Sequence, residues 1–205
     1  ITNLSHDHMD YHKTFKSYVE SKMLLFTEVV NKNGTAVINS RLKNYKYFVS
    51  KIKSRNLKII IFGSKDVYFT QKKFLKLHIF GKEYSIKDLK LNNIQKENLE
   101  CAIACALAAK FKINNIIKTL GKLKSAAGRF EEIIYIKKSS KIIIDYAHTP
   151  DAMQNVLKSY SHTSFKPSLV FGCGGERDKS KRKKMSVIAN KYAKKVYLTD
   201  DNPRN

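Results

Sequence analysis

The chain of 205 residues is long enough for one large domain or two small ones, and its 42% hydrophobic content is enough for buried cores. Its formal charge of +23 comes from 34 Lys and only 6 Arg, dispersed along the whole sequence. Dedicated nucleic-acid binders lean on Arg interleaved with aromatic residues, so this charge predicts no specific nucleic-acid partner and at most weak, salt-dependent association. A basic nucleic-acid-binding module stays as the alternative from another class.

No stretch of the sequence predicts a membrane span. The longest strictly apolar run, from Cys101 to Ala109, is far shorter than the ~20 residues that a spanning helix needs, and no basic-then-apolar leader opens the chain. The three cysteines, at positions 101, 105 and 173, are odd in number and lack metal-type spacing. We therefore expect a soluble, cytoplasmic protein with free thiols.

The first polar segment in chain order, residues 5–12, contains three of the six histidines together with two aspartates. Imidazole and carboxylate groups this close together commonly supply metal ligands and proton carriers, although a solvated polar turn before a helix is the alternative. Apolar residues then recur at helical spacing from Thr14 to Val30, which places Lys22 on a helix directly after this loop. Loop and lysine can therefore face one site.

The pattern that follows predicts a parallel sheet extended by a meander. Residues 35–39 and 58–63 have the composition of short buried strands with a helix between them, which is the rhythm of a parallel β-α-β unit. Residues 66–87 alternate like a small antiparallel meander. Two helices are then predicted, over residues 98–110 and 113–123.

After a break at residues 125–128, three short buried strands alternate with helical stretches, which predicts a doubly wound α/β domain. The predicted strands span residues 141–145, 168–172 and 195–200, and the helical stretches lie near 151–160 and 181–194. In such sheets ligands bind outside the carboxyl ends of the strands. The loops after these three strands, which are rich in charged residues and glycine, are therefore the candidate functional loops.

The loop after the second of these strands has the sequence Gly-Cys-Gly-Gly over residues 172–175, followed by Arg177 and Lys179. Glycine amides can form an anion-binding nest, and the two cations can neutralise phosphate. The loop fails the dinucleotide-binding pattern G-x-G-x-x-G because Arg177 occupies the last glycine position, and no complete G-x-x-x-x-G-K-[ST] loop occurs in the sequence. The pattern therefore favours a phosphate ligand over a nicotinamide or flavin cofactor.

Taken in order, these segments resemble the Mur ligases, the ATP-dependent enzymes that add amino acids to the peptidoglycan precursor. The resemblance is carried by four segments: residues 2–12 with Tyr18 and Ser21-Lys22, Gly-Arg-Phe-Glu at 128–131, Asp-Tyr-Ala-His-Thr-Pro at 145–150, and Asp-Asn-Pro-Arg at 201–204. It implies that residues 1–127 are the second half of a parallel-sheet, ATPase-like central domain and that residues 128–205 begin a Rossmann-like domain. It also implies an incomplete chain, without the sugar-binding domain and the phosphate loop.

The resemblance assigns roles to individual residues. The position of His8 is a magnesium ligand in that family, and the position of Lys22 carries a carbamate, which turns a cation into an oxygen ligand for a hard metal. Both would hold Mg²⁺ and stabilise the transferring phosphoryl group. ATP-binding roles are implied for Asn98, Arg129, Asp145, His148, Arg177 and Lys179. Amino-acid-binding roles are implied for Asp201, Asn202 and Arg204.

The chain departs from the family pattern at two places that bear on these roles. Ile94-Gln95 stands where the family has an aromatic-Asn pair upstream of Asn98. Asn39 fits the start of an Asn-Ala-Asp-Asp turn, but residues 40–42 are Ser-Arg-Leu, so we assign no role to that turn.

The ending Asp-Asn-Pro-Arg marks the family members that select meso-diaminopimelate, whose second carboxylate an arginine can grip in bidentate fashion. The resemblance thus implies a monomeric ligase that adds meso-diaminopimelate to UDP-N-acetylmuramoyl-L-Ala-D-Glu through an acyl phosphate, with ATP and Mg²⁺. Folylpolyglutamate synthetase, which shares the three-domain plan and an Ala-His-x-Pro element, is the nearest alternative. We expect the incomplete chain to be inactive alone, because positioning the β- and γ-phosphates needs the phosphate loop.

Overall fold

The computed structural model describes residues 1–4, 9–71, 73–87, 89–137, 140–160, 166–175 and 178–203. The chain folds into two compact units: the first comprises Ile1–Leu4 and Thr14–Leu123, and the second Ser5–Lys13 and Lys124–Asn205. No helix among these described residues is both long enough and apolar enough to cross a membrane.

The helices in chain order are α1 (Met9–His12), α2 (Phe15–Leu24), α3 (Tyr45–Lys53), α4 (Asn93–Ala108), α5 (Ile113–Leu120), α6 (Pro150–Lys158) and α7 (Ser180–Tyr192), and a π-helical turn (Leu25–Val29) extends α2. The strands are β1 (Thr35–Asn39), β2 (Lys58–Phe62), β3 (Val67–Gln71), β4 (Leu75–Ile79), β5 (Lys82–Ile86), β6 (Glu131–Lys137), β7 (Ser140–Ile144), β8 (Ser168–Phe171) and β9 (Lys195–Leu198).

The first unit is built on a five-stranded sheet in the order β1-β2-β3-β4-β5. Strands β1 and β2 are parallel with α3 between them, whereas β3, β4 and β5 pair antiparallel, so the predicted β-α-β unit and the predicted meander are both confirmed. Alternate residues of each strand point to opposite faces of the sheet. Ile60 and Phe62 of β2 pack with Ile103 of α4, while Ala36 and Ile38 of β1 pack with residues of α2 and α3.

Helix α4 begins at Asn93, five positions before the predicted start at Asn98. The reason is a capping box: the side chain of Asn92 accepts a hydrogen bond from the Gln95 amide at 2.8 Å, and the Gln95 side chain accepts one from the Asn92 amide at 3.0 Å. Two backbone donors that a helix start would leave unsatisfied are thereby paired. Asn98 consequently lies in the second turn of the helix rather than at its end.

The second unit contains two short sheets. Strands β8 and β9 pair in parallel, and α6 and α7 cover one side with a core of Met153, Leu157 and Met185. Strand β7 was expected beside β8 and β9, but among the described residues it pairs antiparallel with β6. Strand β6 was not predicted from the sequence, because its apolar residues are flanked by Glu131 and Lys137 and follow directly on the glycine break.

Candidate functional site

A buried asparagine organises the turn that follows β1. Asn39 is 2% exposed, and its side-chain nitrogen donates to the carbonyl of Thr2 at 2.8 Å and to Oε1 of Glu97 at 2.5 Å. Its side-chain oxygen accepts the amide of Arg41 at 2.9 Å. Thr2 lies shortly before the His- and Asp-rich segment in sequence. Asn39 therefore ties the residues before that segment, and helix α4, to the carboxyl end of β1.

The same turn carries an ion pair with one buried partner, Glu100, and one partly exposed partner, Arg41, which was not predicted from the sequence. Glu100 of α4 is 1% exposed, and its carboxylate accepts from Nη1 of Arg41 at 2.6 Å, from Nη2 at 3.3 Å and from the amide of Phe69 at 2.8 Å. The hydrogen bond to Glu100 raises the pKa of the Arg41 guanidinium above its usual value. The available signal was the single carboxylate within the otherwise apolar stretch of α4, because a buried charge requires a partner.

Lys22, the predicted carbamate position, is exposed on α2. Its Nζ lies 4.9 Å from the ring centroid of Tyr18, which is itself buried at 6% exposure. This cation–π contact holds the lysine over a fixed part of the first unit. His8, the predicted metal ligand, lies outside the described residues. Within the described part of the chain, no group of three or more His, Cys, Asp or Glu side chains is arranged to hold a metal ion, so the metal site stays a prediction.

In the second unit, the two sequence motifs at 128–131 and 145–150 come together. Asp145 accepts the amide of Phe130 at its Oδ2 and the amide of Ala147 at its Oδ1, both at 2.9 Å. The guanidinium of Arg129 lies 4.5 Å from the ring centroid of Tyr146. Asp145 thus connects the two motifs by hydrogen bonds. The guanidinium of Arg129 is exposed and stacks on the ring of Tyr146.

The loop after β7 is fixed by contacts to its neighbours. The ring Nδ1 of His148 is 3.1 Å from the carbonyl oxygen of Tyr146, and the His148 carbonyl accepts from Nζ of Lys181 at 3.0 Å. Lys181 is only 8% exposed, so its ammonium group stabilises this loop within the second unit and is not presented to solvent. Thr149 caps α6 by accepting the amide of Ala152 at 3.3 Å. The exposed His148 ring is thereby presented from a rigid turn.

The loops after β8 and β9 enclose a cleft of about 420 Å³. Its lining residues are Phe171, Gly172, Cys173, Gly175, Arg182, Ser186, Leu198, Thr199, Asp200, Asp201 and Pro203. The two loops touch directly, since the amide of Gly175 donates to the carbonyl of Asn202 at 3.1 Å. The predicted residue Asp201 therefore lines this cleft, and Asn202 follows it in the same loop without being among the lining residues. Lys179 is exposed at the start of α7. Arg177 and Arg204 lie outside the described residues.

Replacing Gly175 with alanine should disrupt this cleft. A Cβ at this position would overlap the carbonyl of Pro203, which is backbone and cannot move aside as a side chain would. We expect a loss of about 1–3 kcal/mol in the unfolding free energy of the second unit, measured by urea unfolding. Gly121→Ala is the control, because a Cβ there meets nothing within 4 Å. Equal stability of the two variants would contradict the described packing of the loops.

Comparison with known families identifies the class to which this fold and these loops belong. Residues 1–122 match the Mur ligase middle domain, and residues 128–205 match the Mur ligase, glutamate ligase domain. The chain belongs to the Mur ligase family, and the resemblance drawn from its sequence is confirmed, together with the predicted α/β fold class.

Individual relatives give a finer comparison. The chain is 35% identical to the UDP-N-acetylmuramoyl-L-alanyl-D-glutamate–2,6-diaminopimelate ligase of Rickettsia typhi (strain Wilmington), over 100% of this chain and 43% of that protein. A solved structure of a ligase of the same name is 32% identical with a TM-score of 0.62, and the match covers 99% of this chain and 43% of that one. The chain thus spans less than half the length of these relatives.

A likeness to a further solved structure concerns the fold alone. A bifunctional folylpolyglutamate synthase/dihydrofolate synthase, solved with Mn, AMPPNP and L-glutamate bound, is 15% identical with a TM-score of 0.68. That match covers 96% of this chain and 46% of the other.

Proposed function

We propose that this chain is part of an ATP-dependent ligase that adds meso-diaminopimelate to UDP-N-acetylmuramoyl-L-Ala-D-Glu in peptidoglycan synthesis. The observation that carries the proposal is the 35% identity to a ligase of that name along the whole of this chain. The cleft lined by Asp201 supports it, because a site for a small charged amino acid belongs at the carboxyl ends of the strands in an open α/β sheet. We further propose that the ligase is a monomer and works in the cytoplasm, where ATP is available.

We propose a domain boundary between residues 127 and 128. Residues 1–127 would be the C-terminal part of the central, ATP-binding domain, and residues 128–205 the N-terminal part of the amino-acid-binding domain. The separate family matches over 1–122 and 128–205 support this division, as does the change from the first to the second compact unit between Leu123 and Lys124.

In the proposed reaction, the carboxylate of D-Glu attacks the γ-phosphorus of ATP, which releases ADP and leaves an acyl phosphate. The free amine of diaminopimelate then attacks the acyl carbon, loses a proton and expels inorganic phosphate, which completes the amide bond. Negative charge is concentrated on the phosphoryl oxygens throughout the first step, so cations that face them lower the barrier.

The described side chains fit an ATP substrate. Arg129 and Lys179 are exposed cations suited to phosphate oxygens, and the exposed Asn98 amide offers both a donor and an acceptor for the adenine edge. Asp145 holds the Arg129 motif in place by accepting the backbone amide of Phe130, and the exposed His148 ring lies on the turn that follows Asp145. We propose Arg177 as a further ATP-binding cation on the strength of the sequence resemblance alone.

Mg²⁺ would be held by His8 and by Lys22 in its carbamylated form. The exposed amine of Lys22 is accessible to carbon dioxide, and the carbamate that forms supplies the oxygen donors that a hard cation prefers. A bound Mg²⁺ would supply positive charge next to the transferring phosphoryl group.

Two alternatives remain open to test. A folylpolyglutamate synthetase would use the same phosphoryl chemistry on a folate-linked glutamate, and the likeness to the solved synthase is at the level of the fold. The family match does not favour the nucleic-acid-binding module, because both matching domains are ligase domains.

The discriminating experiment uses a ligase of the relatives' full length that contains these 205 residues, called the full-length ligase below. ADP release is measured with UDP-N-acetylmuramoyl-L-Ala-D-Glu plus meso-diaminopimelate, and separately with a reduced folate plus L-glutamate. The proposal expects turnover only with the first pair. Turnover only with the folate pair would show that the ligase is a folylpolyglutamate synthetase, and turnover with neither pair would contradict both proposals.

Removal of Arg204 should change the choice of amino acid. If Arg204 grips the distal carboxylate of meso-diaminopimelate, Arg204→Ala in the full-length ligase should cost on the order of 2–5 kcal/mol with that substrate and little with L-lysine, which lacks this carboxylate. The ratio of the two kcat/KM values should therefore narrow by about tenfold or more. An unchanged ratio would show that Arg204 does not read the side chain.

A further inference from the structure

The cleft between the loops after β8 and β9 has walls of opposite charge. Asp200 and Asp201 supply carboxylates from the loop after β9, and Arg182 supplies a guanidinium from α7. Phe171 and Leu198 contribute apolar surface. A volume of about 420 Å³ lies within the usual range for small-molecule sites, which combine apolar lining with a few placed charges. This arrangement fits a small zwitterion with separated positive and negative groups.

The position of Arg182 differs from that of its neighbours on α7. Lys181 is 8% exposed and donates into the unit, to the carbonyl of His148. Arg182 is exposed and lines the cleft together with Ser186, one helical turn further along the same side of α7. Its Nη2 is 3.3 Å from the carbonyl of Gly174, which keeps the head beside the glycine loop. A guanidinium has five N–H donors, so this single contact leaves donors for a ligand.

We propose that Arg182 binds a carboxylate of the amino-acid substrate, and that Asp200 and Asp201 bind an ammonium group of the same molecule. The inference rests on the proposed function and extends it, since the sequence resemblance assigned roles to Asp201 and Arg204 but none to Arg182. The planar fork of an arginine matches the two oxygens of a carboxylate, which a lysine does not. Meso-diaminopimelate has two carboxylates, and Arg182 would hold one of them.

The test compares three variants of the full-length ligase: Arg182→Gln, Arg182→Lys and Lys183→Gln. Lys183→Gln is the matched control, because it removes the same charge from an exposed neighbour on α7 that is not among the lining residues. We expect Arg182→Gln to raise the KM for meso-diaminopimelate about tenfold or more, with the KM for ATP unchanged. Arg182→Lys keeps the charge without the planar fork, so its KM for meso-diaminopimelate should lie between those of Arg182→Gln and Lys183→Gln. Thermal unfolding of each variant verifies that it is folded.

A parallel titration with L-lysine identifies the carboxylate. A loss with both amino acids assigns Arg182 to the carboxylate that they share, and a loss confined to meso-diaminopimelate assigns it to the distal one; both results support the proposal. An unchanged KM in Arg182→Gln, or an equal rise in Lys183→Gln, overturns it while the proposed function stands. If the unmodified ligase adds neither amino acid, the proposed function fails and this inference falls with it.

Discussion

Lys22→Ala in the full-length ligase should lower kcat by about a hundredfold or more, the range for removing one group that stabilises charge in a transition state. In the proposed site, no carbamate could form without the lysine, and a metal held by His8 would lose its partner ligand. Adding a small carboxylate such as formate or acetate should restore part of the activity, because it can occupy the vacated oxygen-donor position. The measurement is kcat with and without the added carboxylate at saturating Mg²⁺.

Lys16→Ala on the same helix is the control for this experiment. The side chain of Lys16 is 85% exposed, and its ion pair with Glu20 is long, at 4.0 Å. A pair of this kind contributes little to stability, so the control should retain full activity. Wild-type turnover by Lys22→Ala would refute the carbamate assignment, and loss of activity in both variants would attribute the effect to the helix instead of the ligand.

Arg41→Ala should destabilise the first unit by about 1–3 kcal/mol, because it leaves the buried carboxylate of Glu100 without its main partner. Glu100 is 1% exposed whereas the side chain of Arg41 is 43% exposed, so water that fills the vacated space replaces only part of the lost hydrogen bonding. Gly63, at φ +100°, allows this contact: a Cβ there would lie 2.7 Å from Nη1 of Arg41. The measurement is urea unfolding of the chain, with hydrogen exchange of the amides of β1 to β3 reporting on the first unit.

The double variant Arg41→Ala/Glu100→Gln separates the charge from the loss of packing. A glutamine keeps an acceptor for the amide of Phe69 but carries no charge. We expect it to recover on the order of 1 kcal/mol of the loss, as a coupling between contacting residues. A loss below about 1 kcal/mol in the single variant would show that the buried carboxylate is satisfied without Arg41.

The periodicity of the chain predicted the first unit well because its sheet is regular. Buried runs at 35–39 and 58–63 became the parallel pair β1 and β2, and the alternating residues of 66–87 became the meander β3 to β5. The start of α4 was missed because a capping interaction between Asn92 and Gln95 decides it, and this signal is local and polar rather than periodic.

Contacts between distant side chains were not predictable from the pattern. Asn39 and Glu97 are 58 positions apart, and Arg41 and Glu100 are 59 apart, so only the fold brings these pairs together. The family resemblance supplied no help there, because the turn departs from the family at residues 40–42. Where the motifs did match, as at Arg129 and Asp145, the structure brings their segments into contact.

The hairpin of β6 and β7 shows a different limit. The strand ending at Ile144 has the continuous apolar run of a buried parallel strand, yet among the described residues it pairs antiparallel with β6. The predicted burial is wrong as well, since Ile142 is 40% exposed and Ile144 is 45% exposed. An apolar run therefore specifies neither the partner of a strand nor, by itself, its burial. The partner is set here by closeness in sequence, because only two residues separate the end of β6 at Lys137 from the start of β7 at Ser140, a spacing that joins antiparallel strands.

The proposed acyl-phosphate reaction is tested most directly by following an oxygen atom from the D-Glu carboxylate into inorganic phosphate. The full-length ligase is incubated with ATP, meso-diaminopimelate and UDP-N-acetylmuramoyl-L-Ala-D-Glu labelled with ¹⁸O in the terminal D-Glu carboxylate. If the carboxylate attacks the γ-phosphorus and the amine then expels phosphate, each turnover must transfer a single labelled oxygen to inorganic phosphate, together with ADP and the tripeptide product. Mass spectrometry of the phosphate should show this label. Product formation with unlabelled phosphate, or with AMP in place of ADP, would contradict the acyl-phosphate ligase account.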